Sequence, residues 1–302
     1  MDLVNNFSWS FSRDSLFKQC QRAYYYNYYG YWLGWDKKAD QSCKDAYRLK
    51  NITGLDLLVG DVVHKTIKHV LTVYKTSGTI IEFDAAFNIA LDKFSTAYTK
   101  SQNQDWQVKI KDNTNLFEHY YGINISDDKL HQKIGKIEQC LVNFYRLDFF
   151  NSVNTDDIFS IDTLNSFFFE EFTLWAALDL VIKKGDTYCI YDWKTGKQND
   201  KDLFQLSLYI YHIVNDFGAD IENIYICPVY LLDNDLTKFN YLKLSQDFDF
   251  QAMYDRISNS ANQMISLLFN FEHNALDINN TQKTKESKQC NWCKFKELCL
   301  TK

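Results

Sequence analysis

Two aspartates and a lysine stand where a strand pair would bring them together. One aspartate lies in Ala177-Leu178-Asp179-Leu180-Val181. The other lies in Ile190-Tyr191-Asp192-Trp193-Lys194-Thr195-Gly196, after a turn at Lys183-Lys184-Gly185-Asp186. Neighbouring antiparallel strands are ~4.8 Å apart, so both carboxylates can reach one divalent cation. Hard oxygen ligands suit Mg²⁺ or Mn²⁺. Asp192 and Lys194 are two apart and point to one face of their strand. There the ammonium can stabilise charge developing on a phosphate or orient an attacking water. Asp-x-Lys alone says little, because many exposed strands carry it and Asp192 would then be half of a surface ion pair. The surroundings argue otherwise. Asp179 sits between Trp175-Ala176-Ala177-Leu178 and Leu180-Val181-Ile182. An unpaired buried charge is expensive, so a cation or a basic partner is expected beside it.

Two further pieces are bland by themselves. His64, in Gly60-Asp61-Val62-Val63-His64, is a single histidine at the edge of an apolar helix stripe, ordinarily a structural residue. Gln205 and Tyr209 are four apart on one helix face and would pass for surface and packing residues. In order, however, the four pieces resemble the PD-(D/E)XK nuclease superfamily, and more closely its RecB-type exonuclease branch. There G-x-x-x-H, G-x-D, D-x-K-T-G and Q-x-x-x-Y follow one another. The resemblance implies a metal-dependent DNA exonuclease with Asp179, Asp192 and Lys194 as catalytic residues. It implies Mg²⁺ or Mn²⁺ held at His64, Asp179, Asp192 and Trp193, with Gln205 and Tyr209 flanking the site and contacting DNA. Ala177 departs from the pattern, standing where the glycine before the first acid is expected. Related nucleases often place another acid on the preceding strand, and Glu170 and Glu171 lie there. Alternation gives Glu171 the parity of Asp179, so Glu171 is the expected support residue unless a bulge reverses the choice.

The C-terminus carries Cys290-x-x-Cys293 followed by Cys299. Three close cysteines in a reducing compartment are usually metal ligands, and a fourth soft ligand is then needed. Cys20, in Phe17-Lys18-Gln19-Cys20-Gln21-Arg22-Ala23-Tyr24, is the candidate. The arrangement resembles the RecB-type nucleases that place one cysteine before the nuclease core and three after it, including CRISPR-associated exonucleases and AddB-type subunits. Gln21 stands where those relatives carry proline. The resemblance implies a [4Fe–4S] cluster on Cys20, Cys290, Cys293 and Cys299, with Zn²⁺ in the same ligands as the alternative. Cys43, Cys140, Cys189 and Cys227 read as ordinary small residues.

The elements that must position these residues follow from periodicity. A helix is expected from Ser12, its N-cap, through Tyr24. The aromatic run Tyr24–Trp32 reads as a packed face, with a base-stacking surface as the alternative. Leu58, Val59, Val62, Val63, Ile67, Val70, Leu71 and Tyr74 recur at helical spacing and predict a helix over Leu55–Tyr74. Helical patterns follow over Ile81–Lys100 and Asp128–Phe150, with a polar, irregular stretch between them. Strands are expected over Ser166–Thr173, Leu174–Ile182 and Tyr188–Trp193. A helix over Asp202–Val214 is expected to carry Leu203, Leu206, Ile210 and Val214 on one face. A strand pair (Ile224–Leu232 and Lys238–Leu244) and a last helix (Phe248–Phe271) close the pattern. Helices first and strands later favour an α+β fold. By the resemblance its core is restriction-endonuclease-like, a mixed sheet flanked by helices. We expect one unit over residues 1–302, with a mainly helical lobe at 55–165, the nuclease core at 166–271, and residues 1–30 and 285–302 joined as an iron–sulfur clip.

Composition bounds the function. The net charge of −6 argues against a non-specific nucleic-acid coat, which would be basic, but leaves room for an enzyme with a basic groove. No apolar run approaches the ~18 residues of a membrane span, and the N-terminus lacks a signal peptide's pattern. A cytoplasmic protein is expected, with its eight cysteines reduced. Thr195-Gly196-Lys197 lacks the upstream glycine of a phosphate-binding motor loop, so any unwinding falls to a helicase or recombination partner. The expected substrate is DNA, single-stranded or with free ends. Two other classes compete: a non-catalytic scaffolding subunit with a nuclease-like fold, and a zinc-stabilised DNA-binding module. The intact acids and lysine speak against the first. The second leaves the buried acids unexplained.

Overall fold

The computed structural model describes residues 4–300 apart from 235, 237 and 244–248. The chain opens with strand β1 (Ser8–Ser10) and helices α1 (Phe11–Gln19), α2 (Gln21–Tyr25) and α3 (Gln41–Lys50). Three long helices follow, α4 (Leu55–Ser77), α5 (Phe83–Gln102) and α6 (Asp127–Arg146). Next come β2 (Ile158–Phe169), β3 (Phe172–Lys184), β4 (Thr187–Lys194), α7 (Asp200–Phe217) and β5 (Ile224–Tyr230). The chain finishes with α8 (Phe250–Ile265) and two short helices, α9 (Ser287–Asn291) and α10 (Lys296–Leu300).

The five strands form one mixed sheet. β2 and β4 run antiparallel to β3, whereas β1 pairs with β3 in parallel and β5 pairs with β4 in parallel. Parallel neighbours need a crossover, and α7 supplies it between β4 and β5. One apolar core lies between α4, α5, α6 and one sheet face, including Leu180, Ile182, Tyr191 and Trp193. A second lies between α7, α8, β1 and the other face, including Leu178, Val181, Ile190 and Ile226. The architecture is thus α+β, with helices on both sheet faces and a helical N-terminal region. Among the described residues, no helix is long and apolar enough to cross a membrane.

Helix α4 shows why periodicity succeeded. All eight apolar positions named above are buried, each contributing roughly 1.5–3 kcal/mol on leaving water. Gly78 ends the helix in the left-handed region at φ 70°, its amide donating to the Tyr74 carbonyl. A charge at Val63, wholly buried, would break this packing.

Several boundaries fall elsewhere. Ser10, not Ser12, caps α1, with its hydroxyl accepting the Arg13 amide at 3.2 Å. The aromatic run leaves α2 as a single π-helical turn, Tyr26–Gly30, and Tyr24, Tyr26 and Tyr29 are buried. The β2–β3 hairpin turns at Glu170-Glu171, because Phe169 pairs with Phe172 and Glu170 adopts φ 52°. The start of β2 escaped detection because an edge strand has one neighbour and its mixed polarity hides the alternation. Leu203 is 43% exposed, so it lies off the buried face of α7. Of Lys238–Leu244, Leu242 forms an isolated bridge with Ile226, and Leu244 lies outside the described residues. Phe248 also lies outside them; α8 begins at Phe250 and gives way to a short hairpin of Leu268–Asn270 with Ala275–Leu276.

The two ends of the chain meet, but not through a metal. Phe295 is buried and stacks on Tyr26 with centroids 5.5 Å apart. The Tyr26 hydroxyl donates to the Leu298 carbonyl at 3.2 Å, and the Arg22 amide donates to Gln282 at 3.0 Å. Cys20, Cys290, Cys293 and Cys299 all line one cavity of about 860 Å³. Among the described residues, however, no three His, Cys, Asp or Glu side chains form a group able to hold a metal ion. The expected [4Fe–4S] cluster, its Zn²⁺ alternative and the C-terminal cysteine cluster are therefore corrected. Burial and the adjoining cysteines raise the Cys293 and Cys299 thiols above their ordinary range. Aromatic packing and main-chain hydrogen bonds join the ends instead.

Candidate active site

The sheet is split where the acids sit. β3 pairs with β1 over Thr173–Trp175 and with β4 over Leu180–Lys184. Ala176–Asp179 lie between these two ladders and pair only with β2 on the other side, where Leu178 is the last partner before Leu180. Alternation also breaks across Asp179: Leu178 joins the α7-side core and Leu180 the α4-side core. The Asp179 carboxylate is thereby free to bridge elements. Its Oδ2 accepts the Trp193 amide at 2.8 Å, and its Oδ1 lies 3.1 Å from His64 Nδ1. His64 thus reaches the sheet from α4. One turn earlier, a Cβ at Gly60 would stand 3.1 Å from Thr195 Oγ1. Glycine there lets α4 approach the loop that follows Lys194.

Asp192 and Lys194 leave β4 toward α7. Lys194 Nζ lies 2.7 Å from Asp192 Oδ2 as an ion pair off hydrogen-bond alignment, and that oxygen has no hydrogen-bond partner. The same ammonium donates to Gln205 Oε1 at 3.0 Å and stands 3.7 Å from Asp202 Oδ1. Gln205 Nε2 donates to the Tyr209 hydroxyl at 2.9 Å. Asp202 and Tyr230 were missed from sequence. Asp202 closes the capping box with Asn199 at the start of α7 and accepts the Tyr230 hydroxyl at 3.0 Å. The pattern Asn199-x-x-Asp202 was the available signal.

Burial governs the electrostatics. Asp192 is 4% exposed. Burial pushes its carboxyl up to about 6; Lys194 opposes the shift and Asp179 adds to it. Burial alone would lower His64, but the hydrogen bond and charge of Asp179 outweigh it and the net shift is upward. Lys194 behaves alike: burial pulls it down, and Asp192 with Asp202 more than restores it. Burial, then the two aspartates, holds the Tyr209 hydroxyl far above its usual range, so it stays a neutral hydrogen-bonding group.

His64, Asp179, Asp192, Lys194, Gln205 and Tyr209 are therefore linked through direct contacts around β4. Trp193 contributes its amide, while its indole packs on Phe144 at 5.4 Å. Glu171 is not among them. It is exposed at the hairpin turn, eight residues along β3 from Asp179, or roughly 26 Å at strand spacing. Glu170 is occupied by the Tyr254 and Ser258 hydroxyls. The expected Mg²⁺ or Mn²⁺ centre is also corrected. His64 Nδ1 and both Asp179 oxygens are engaged with each other and with main chain. Among the described residues they form no metal-holding group. What the arrangement presents is a buried, fixed ammonium beside a carboxylate that is ionised above pH ~6, a pairing suited to stabilising charge on a phosphate.

Comparison with known families matched the profile of the PD-(D/E)XK nuclease superfamily over residues 8–300. Comparisons with curated proteins and with solved structures gave no significant match.

Proposed function

This chain belongs to the PD-(D/E)XK nuclease superfamily, and we propose that it is a deoxyribonuclease that hydrolyses phosphodiester bonds from DNA ends. The carrying observation is the convergence on Lys194. Asp192 lies two residues before it, and Gln205 and Asp202 reach it from the next helix.

In this reading Lys194 faces the scissile phosphate and offsets the negative charge that grows as water attacks phosphorus. Ionised Asp192 holds the ammonium in place and accepts the proton of the attacking water. The His64–Asp179 contact ties α4 to the Trp193 amide and fixes the line of the strand. Gln205 and Tyr209 keep the lysine extended and meet the DNA backbone. Free thiols throughout the described residues suit a cytoplasmic setting, and a helicase or recombination partner supplies separated strands.

The test is digestion of end-labelled single- and double-stranded DNA by the wild type and Asp192→Ala. Each reaction is run with Mg²⁺, with Mn²⁺ and with chelator. Stepwise loss of label by the wild type alone supports the reading. Equal cleavage by Asp192→Ala overturns it. Binding without cleavage under every condition returns the chain to a scaffolding role.

A further inference from the structure

A second cavity, of about 450 Å³, adjoins the catalytic helix. Its lining includes Arg13, Tyr31, Lys50 and Trp175, and it reaches Gln205 and Tyr209. Arg13 is only 4% exposed. Its guanidinium donates to the Ser8 carbonyl and hydroxyl, both at 2.8 Å, and to the Tyr29 hydroxyl at 3.3 Å. Its Nε has no hydrogen-bond partner. The neighbouring Asp14 offers no counter-charge, being paired with Lys18 at 2.9 Å. Lys50 stands with its Nζ 3.3 Å from the Tyr31 ring centroid. Both cations approach the Tyr28 ring, at 4.4 Å for Arg13 and 5.8 Å for Lys50.

Among the described residues, neither cation has a carboxylate within ion-pair distance, although the chain as a whole is acidic. Leaving a buried guanidinium and a half-buried ammonium without an acid is expensive. Burial, together with Lys294 and Arg13, pulls Lys50 down to about 7. The aromatic walls specify what accompanies the anion. Trp175 is half exposed beside the cavity, and an indole face stacks on any base.

We propose that this cavity is a nucleotide subsite, taking one nucleotide of single-stranded DNA beside the scissile bond with its phosphate on Arg13 and Lys50 and its base on Trp175. The proposal rests on the nuclease reading for the position of that bond. A phosphate supplies the missing negative charge beside Arg13 and Lys50. The bases of an intact duplex are stacked on one another, so the site takes a single strand.

The test measures binding of a labelled single-stranded oligonucleotide to the full chain by anisotropy, in chelator. Lys50→Gln and Trp175→Ala should each weaken Kd about tenfold. Lys50→Gln should also reduce the salt slope by about 0.7. Exposed Lys184→Gln serves as the control, and Arg13→Lys provides a milder probe of the buried cation. Oligonucleotides with and without a 5′-phosphate separate the two phosphate sources. A Kd gap that vanishes in Lys50→Gln assigns the strand end, and equal values assign an internal phosphate. Folded Lys50→Gln and Trp175→Ala proteins that bind within about twofold of wild type, with an unchanged salt slope, would overturn the subsite. Cleavage by the wild type separates the two ideas. Lys50-dependent binding without cleavage keeps the subsite and loses the nuclease, and cleavage with Lys50-independent binding does the reverse.

Discussion

Replacing Asp192 with asparagine should stabilise the protein at neutral pH while removing its activity. The side chain keeps its shape and its place beside Lys194, but the buried negative charge is gone. The Asp192 carboxyl rises from 3.8 to about 6 on folding. That difference is on the order of 3 kcal/mol, and it already includes the attraction of Lys194. The folded state holds this proton more tightly than the unfolded chain. Wild-type stability from this group is therefore fully present below about pH 4 and is lost as pH rises toward about 6. Urea unfolding of wild type and Asp192→Asn, in chelator from about pH 4 to about pH 8, reads the effect, because groups away from Asp192 cancel in the difference and only its neighbours His64 and Lys194 shift with it. The variant should gain on the wild type by up to about 3 kcal/mol across that range and then level off. Its DNA cleavage should fall at least ~100-fold. A difference that stays flat with pH, or that moves against the variant as pH rises, would refute the burial cost assigned to Asp192.

Lys194→Ala should lower single-turnover cleavage by about 10²–10³-fold, while circular dichroism keeps the wild-type spectrum; wild-type rates would remove the lysine from the chemistry. His64 is raised by Asp179, so its contribution is full below its unfolded pKa and lost as pH rises through its folded pKa. The stability gap between wild type and His64→Ala should accordingly shrink as pH rises above about 6.5, as read by urea unfolding. Phe295→Ala should cost about 3–5 kcal/mol, since the ring is buried against Tyr26. Hydrogen exchange should then speed up at both ends of the chain, and exchange confined to the C-terminal tail would contradict their joining.

The sequence by itself determined the elements whose signal is local. The α4 stripe, the Lys183–Asp186 turn and the order of His64, Asp179, Asp192, Lys194, Gln205 and Tyr209 were all legible, because side-chain period and motif spacing are properties of a short segment. Glu171 was misplaced because alternation cannot see where a two-residue turn reverses the strand, and that turn is fixed by the pairing of Phe169 with Phe172. The cysteine spacing was equally visible and misled. Spacing records which thiols lie close along the chain, whereas ligation depends on their arrangement in space, and among the described residues they form no metal-holding group. The capture of Lys194 by Asp202, the seating of Gly60 on Thr195 and the unpaired Arg13 belong to the tertiary structure alone. Each depends on how whole elements pack together, and desolvation there is set by what packs around a charge rather than by its neighbours in the chain.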